Sequence, residues 1–220
     1  MGNLDVEMIE PSEEQRLLLD TLKRAVKEKV APVAAETDRK GTFNWDIASL
    51  FWDLGLFQIM LPEGYDGWPQ TPCHTLCLCI EEIAKVCASS ALMLLIQAVG
   101  SFPLLSAGNK KQKKQYLPRI SQGRELIGYL VTEPGAGSDV QAILSSAKPC
   151  HDHYILNGRK TFATNGAIAD IYSVLAKTGE KELSFFIVDR QDKGLSIGKL
   201  EEKCGFRGSN TAEVILELSL

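Results

Sequence analysis

The strongest constraint on this chain is a change of period near Ile127. Before it, apolar residues recur every three or four positions, the spacing of helices that bury one stripe; after it, short alternating runs are separated by turn residues, the pattern of strands. A helix stripe and a strand face need different packing partners. The expectation is therefore α+β and multidomain, with an N-terminal α-helical bundle over residues 1–126 and an all-β barrel or sandwich over 127–220. At 220 residues and 45% hydrophobic, the chain can bury one or two such cores.

In the first half, Ser12 and Gln15 form a capping box, followed by Leu18, Leu22, Ala25, Val26, Val30 and Val33 at helical spacing, with Pro32 expected to kink or end the element. Asn44 caps a second helix over Trp45–Leu54, stopped by Gly55. Leu61 to Pro72 is rich in Pro and Gly and reads as a loop. Thr71 and Pro72 open a cysteine-bearing helix to about Ala88, and Ser89 and Ser90 read as the cap of a very apolar helix that Gly100 and Pro103 close or bend. A last helix runs from Lys110 to about Ile120.

In the second half, strands are expected at Ile127–Val131, Ala142–Lys148, Tyr154–Leu156, Arg159–Ala163, Ile171–Lys177, Leu183–Val188 and Thr211–Leu220. Asn157-Gly158 reads as a type I′ hairpin turn. The last run still alternates at Leu220, which reads as a cut inside a larger protein.

Charge and cysteine usage narrow the function classes. A net charge of −4 argues against nucleic acid, and the one basic run, Lys110, Lys111, Lys113 and Lys114, reads as a solvated helix face. Cys73, Cys77 and Cys87 share a stripe with Leu76, Ile80 and Ala84 and are expected to be buried thiols; His74 between them has no second ligand pair for a metal site. Reduced thiols point to an intracellular compartment. Met1 to Glu10 carries Asp5, Glu7 and Glu10 and shows no targeting pattern, so the cytoplasm is expected, with the mitochondrial matrix as the alternative. The run Ala91 to Ile96 falls short of the ~20 apolar residues of a bilayer span.

One stretch looks built for a ligand. Tyr129 to Asp139 leaves a strand and passes through Pro134, Gly135 and Gly137, where a missing Cβ lets backbone amides approach a bound molecule. Thr132, Ser138 and Asp139 place hydroxyls and a carboxylate at its ends. Gly135-Ala136-Gly137 lacks the third glycine of a dinucleotide fingerprint and runs into strand-like rather than helical sequence.

Val131-Thr132-Glu133-Pro134-Gly135-Ala136-Gly137-Ser138-Asp139, then Asn157-Gly158-Arg159-Lys160-Thr161-Phe162-Ala163-Thr164-Asn165-Gly166, then Gly205-Phe206-Arg207-Gly208-Ser209 resemble, in order, the motifs of the acyl-CoA dehydrogenase family. The resemblance implies an FAD-dependent oxidoreductase that removes hydrogens from the α and β carbons of an acyl-CoA and passes electrons to an electron-transfer flavoprotein. It implies cofactor contacts from Tyr129, Leu130, Val131, Thr132, Gly137, Ser138, Phe162, Ala163 and Thr164, with Ser138 also touching the CoA of the substrate. Donors such as the Thr132 hydroxyl and glycine-loop amides suit the charge that reduced flavin carries.

Two departures stand out: Phe162 replaces the family's usual Trp, and Leu130 a small residue. By the same resemblance the general base is a glutamate on a C-terminal helical domain absent from this chain, so no catalytic residue is nominated; Glu133 is expected to hold the loop rather than take a proton. The family also implies a homo-oligomer when intact. The competing readings are a non-catalytic CoA- or flavin-binding module, and an oxidase or monooxygenase on the same scaffold.

Overall fold

Ser12 starts the first helix as expected: its hydroxyl accepts from Gln15 N–H while Gln15 Oε1 accepts from Ser12 N–H at 2.9 Å. The computed structural model describes residues 10–68 and 71–219. The reading of the N-terminal stretch therefore lies, apart from Glu10, outside the described residues, as do Pro69, Gln70 and Leu220.

Helix α1 (Glu13–Ala25) passes through a π turn (Val26–Val30) into α2 (Ala31–Lys40), so Pro32 does not end the element. Proline lacks an amide and crowds the carbonyl four residues back; the wider π turn just before it gives that room. Helix α3 (Trp45–Asp53) has Asn44 as its cap and Gly55, at φ 70°, as its stop.

Helix α4 (Pro72–Ala84) corrects the cysteine reading. Cys73 and Cys77 are exposed, whereas Cys79 and Cys87 are buried. Two adjacent stripes of α4 are apolar, and only the neighbouring helix selects between them: Gln15 Nε2 donates to Thr71 and Thr75 Oγ1 at 3.0 and 2.8 Å, which turns the Thr75–Leu76–Cys79–Ile83 side inward. Burial pushes the Cys79 thiol up to about 12, so it packs as a small apolar group.

Helix α5 (Ala88–Ala107) begins on Cys87, not on Ser89 or Ser90, which lie buried inside it. It also runs straight through Gly100 and Pro103. A Cβ at Gly100 would sit 2.7 Å from Ile127 Cγ2, so this glycine lets helix and sheet touch instead of closing the helix. At 20 residues α5 is long and apolar enough to cross a membrane, but it is mostly buried in the protein, as in a core helix. Helix α6 (Lys110–Ser121) is capped by Asn109 with Gln112.

Among the described residues, seven strands form one sheet: β1 (Ile127–Leu130), β2 (Ser146–Cys150), β3 (His153–Thr164), β4 (Ile171–Lys177), β5 (Leu183–Asp189), β6 (Leu195–Leu200) and β7 (Thr211–Ser219), ordered β1-β4-β2-β3-β7-β6 with β5 on β4. β1 lies parallel to β4 and most other pairs are antiparallel. Asn157-Gly158 is not a turn; it lies within continuous β3, and the chain reverses at His151 and Asp152. The glycine is there for closeness, since a Cβ at Gly158 would lie 2.0 Å from Ser145 Oγ. Val140–Ala142 is a 3₁₀ turn, so the second strand starts later than expected, and β6 was not anticipated because its weak alternation leaves Leu200 57% exposed.

Helices and sheet share a core in which Leu22, Phe51 and Leu94 join Leu130, Leu156 and Val214. Gln97, fully buried in α5, fixes the start of β1: its Nε2 donates to Glu125 O and its Oε1 accepts from Ile127 N–H. A second joint forms where Arg207 donates through its backbone N–H and Nε to Asp38 at the end of α2.

Candidate functional site

The loop after β1 opens with a two-residue reversal. Glu133 and Ala136 exchange backbone hydrogen bonds at 2.9 and 3.1 Å, which leaves Pro134 and Gly135 at the tip. Gly135 and Gly137 do not have positive φ, and a Cβ on either would meet nothing within 4 Å. Their smallness thus relieves nothing inside the described chain. Among the described residues, the amides of Gly137 and Ser138 donate to no acceptor, and both residues are exposed.

The second segment is the end of β3. Against β7, Lys160 pairs with Val214 and Ala163 with Ala212, so three steps on β3 face two on β7 and one extra residue bulges out. Phe162 occupies that bulge at φ 54° and is 64% exposed. An L-residue in the left-handed region, with its ring held in open space, is the kind of strain that marks a functional position. Thr161 N–H donates to Thr132 O at 2.9 Å, which sets the bulge against the loop.

The sequence-predicted residues divide by orientation. Thr132 and Thr164 are half-buried, Gly137, Ser138 and Phe162 are exposed, and the Thr161–Thr132 bond brings the loop edge against the bulge. Leu130 is fully buried and Ala163 nearly so, which leaves them only backbone atoms to offer. Val131 packs with Ala136, Ile143 and Leu175. Tyr129 turns toward α5, stacks on Phe185 at 5.6 Å and lines, with Phe102 and Ile187, a cleft of about 580 Å³.

Beneath the loop Glu133 holds it as expected, through a partner, Lys160, that reasoning from sequence missed. Lys160 Nζ donates to Glu133 Oε1 at 2.8 Å and to Val131 O at 3.0 Å, while Glu133 also accepts from Leu144 N–H at 2.6 Å and Ser145 N–H at 3.0 Å. The two side chains are 0% and 6% exposed. Burial pushes the Glu133 carboxyl up, but the bonds from Lys160, Ser145 and Leu144 outweigh it and hold it below the usual carboxylate range; burial lowers Lys160, with Glu133 opposing. The signal was present: once β3 is read as continuous, period two from buried Leu156 carries through Gly158 to Lys160.

A flavin fits this surface. It offers an outward aromatic face, hydroxyls at Thr132 and Thr164, and free amides from a loop in which small residues face outward. Among the described residues no group of three or more His, Cys, Asp or Glu could hold a metal.

The acyl-CoA dehydrogenase N-terminal domain model matches residues 12–124, and the acyl-CoA dehydrogenase middle domain model matches residues 128–218. The cyclohexane-1-carbonyl-CoA dehydrogenase of Syntrophus aciditrophicus is 50% identical over 210 residues, covering 94% of this chain and 55% of the relative. The chain spans about half the length of the curated relatives it matches. A structure described as an electron transferring flavoprotein of Acidaminococcus fermentans superposes with TM-score 0.91 at 30% identity, covering 97% of this chain and 57% of that one. An acyl-CoA dehydrogenase of Bacillus anthracis complexed with FAD gives TM-score 0.87 at 30% identity, over 96% of this chain and 37% of that one. With both domain models matched in order along a helix-then-sheet fold, the chain belongs to the acyl-CoA dehydrogenase family.

Proposed function

We propose that this chain forms the flavin-holding and thioester-facing part of an FAD-dependent acyl-CoA dehydrogenase acting on an alicyclic acyl-CoA. The observation that carries this reading is the bond from Thr161 N–H to Thr132 O, which joins two segments 29 positions apart into one open surface with Phe162 on it. FAD, when bound, supplies the acceptor for a hydride from the β carbon. The chain's own part is to hold and orient. Thr132 and the amides of Gly137 and Ser138 donate to carbonyl or anionic oxygens, Thr164 fixes the ring plane, Phe162 covers one face, and Ser138 reaches the CoA side.

A base for the α proton is to be sought beyond these residues. Glu133, the buried carboxylate of the loop, has its oxygens engaged by Lys160, Leu144 and Ser145. The alicyclic substrate class is supported by the 50% identity with the cyclohexane-1-carbonyl-CoA dehydrogenase. The stripe of Leu92, Leu95 and Val99 on α5, with Leu95 and Val99 exposed, would contribute to the acyl pocket.

The same reading assigns an electron-transfer flavoprotein as electron acceptor, supported by the likeness to the Acidaminococcus structure, and a homo-oligomer for the whole protein. It puts the protein in a reducing compartment, the cytoplasm or alternatively the mitochondrial matrix, in keeping with six free cysteines. Titration of the 220-residue chain with FAD is expected to show weak binding, without oxidation of cyclohexane-1-carbonyl-CoA until the rest of a dehydrogenase is supplied. A purified chain that stays yellow and bleaches with that thioester would overturn this division of labour. Reoxidation of the substrate-reduced whole protein by oxygen rather than by the acceptor flavoprotein would reassign it as an oxidase.

A further inference from the structure

We infer that Lys160 and Glu133 are positioning residues for the cofactor surface, an inference that rests on the flavin reading above. The pair ties three pieces of backbone to one point. Lys160 reaches from β3 to the carbonyl of Val131 at the end of β1 and to Glu133, and Glu133 in turn receives the amides of Leu144 and Ser145, where the loop returns to β2. The loop 133–145 is thereby closed into a ring around one buried charge pair, while its outer rim, Gly135, Gly137 and Ser138, is exposed.

The placement relative to the bulge completes the device. Lys160 points inward, Thr161 N–H holds Thr132, and Phe162 turns outward at left-handed φ, so consecutive residues anchor the loop from below, join its edge and face the open side. A charged pair is a costly way to fill a core, because desolvating both groups offsets most of their attraction and apolar replacements of similar volume are often as stable. What an apolar pair cannot do is accept two amides and donate to a carbonyl with fixed direction. The positional role accounts for the charges where stability does not.

The test separates those two roles in the full chain. The double variant Lys160→Met/Glu133→Leu removes both charges but leaves the Leu144 and Ser145 amides without their acceptors, so it is expected to stay folded with a modestly lower melting temperature, whereas FAD affinity, titrated well below that temperature, falls roughly tenfold or more, as when outer-shell partners of a bound group are lost. Bound FAD should also lose the resolved shoulders of its visible absorption band, a signature of a fixed ring environment that a purely structural pair would not alter. Wild-type affinity and spectrum in the double variant would overturn the inference. If the unmodified chain takes up no FAD at all, the flavin reading fails, and hydrogen exchange still decides the anchoring: Leu144 and Ser145 amides should exchange faster in the double variant, and unchanged protection there would overturn it.

Discussion

Helix α5 and the bulge of β3 both leave large apolar side chains in the open, Phe102 at 60% and Phe162 at 64% exposure, yet they reach that state by opposite routes. On α5 the exposed stripe follows from helical spacing alone, since Leu95, Val99 and Phe102 fall four and three residues apart and the opposite face is buried. On β3 the exposed ring depends on an extra residue, a left-handed backbone and a buried ion pair two residues away. A surface made by local spacing tolerates change; one made by non-local bonds fails when a single partner is lost.

The largest expected effect comes from breaking the non-local side. Lys160→Met leaves Glu133 charged, buried and short of its strongest partner, and should cost about 3–5 kcal/mol in denaturant unfolding. Acidification attacks the same pair from the other end. Because the Glu133 carboxyl is held below its unfolded value, its contribution is fully present above the ordinary carboxylate range and is lost as pH falls through the lower folded value. Lys160 stays charged throughout that window and is left without its counter-charge, so thermal melts should drop in acid more for the wild type than for Lys160→Met. Equal acid sensitivity of the two proteins would break the comparison.

The next effect tests the joint between the two regions. Gly100→Ala puts a methyl of α5 2.7 Å from Ile127 Cγ2 on β1, at a point where Gly100 O also accepts from Ser173 Oγ–H, and should cost about 1–3 kcal/mol by overpacking. An unchanged melting temperature would show that α5 rides on the sheet more loosely than its geometry indicates.

The smallest effect on stability falls on the exposed ring. Phe162→Gly relieves a left-handed backbone worth ~1–2 kcal/mol but adds ~0.5–1 kcal/mol of unfolded-state freedom, so stability should stay within about 1 kcal/mol. FAD fluorescence titration should nonetheless weaken, because the aromatic cover is gone. A large loss of stability instead would mean that the ring serves the fold.

Much of the scaffold was legible because its signals are local. The capping box at Ser12, the Asn44 cap, the change of period at Ile127 and the central strands all rest on residues within a few positions of one another. Errors arose where a local signal had two outcomes. Asn157-Gly158 satisfies a hairpin turn and a close backbone approach equally well, and only Ser145, just ahead of the neighbouring strand, decides between them. The two apolar stripes of α4 are likewise equivalent until Gln15 fixes one inward.

For the site, the residue types that face a ligand could be read in order along the chain, since glycines, hydroxyls and an aromatic at set spacing are a property of sequence. Which of them share a surface, which point into the core as Leu130 does, and what holds the loop from beneath depended on contacts between residues 27 and 29 positions apart. Hydrophobic period and capping are short-range and survive in one dimension. The partner of a buried charge is chosen by the folded chain, because only burial makes an unpaired lysine too costly to keep.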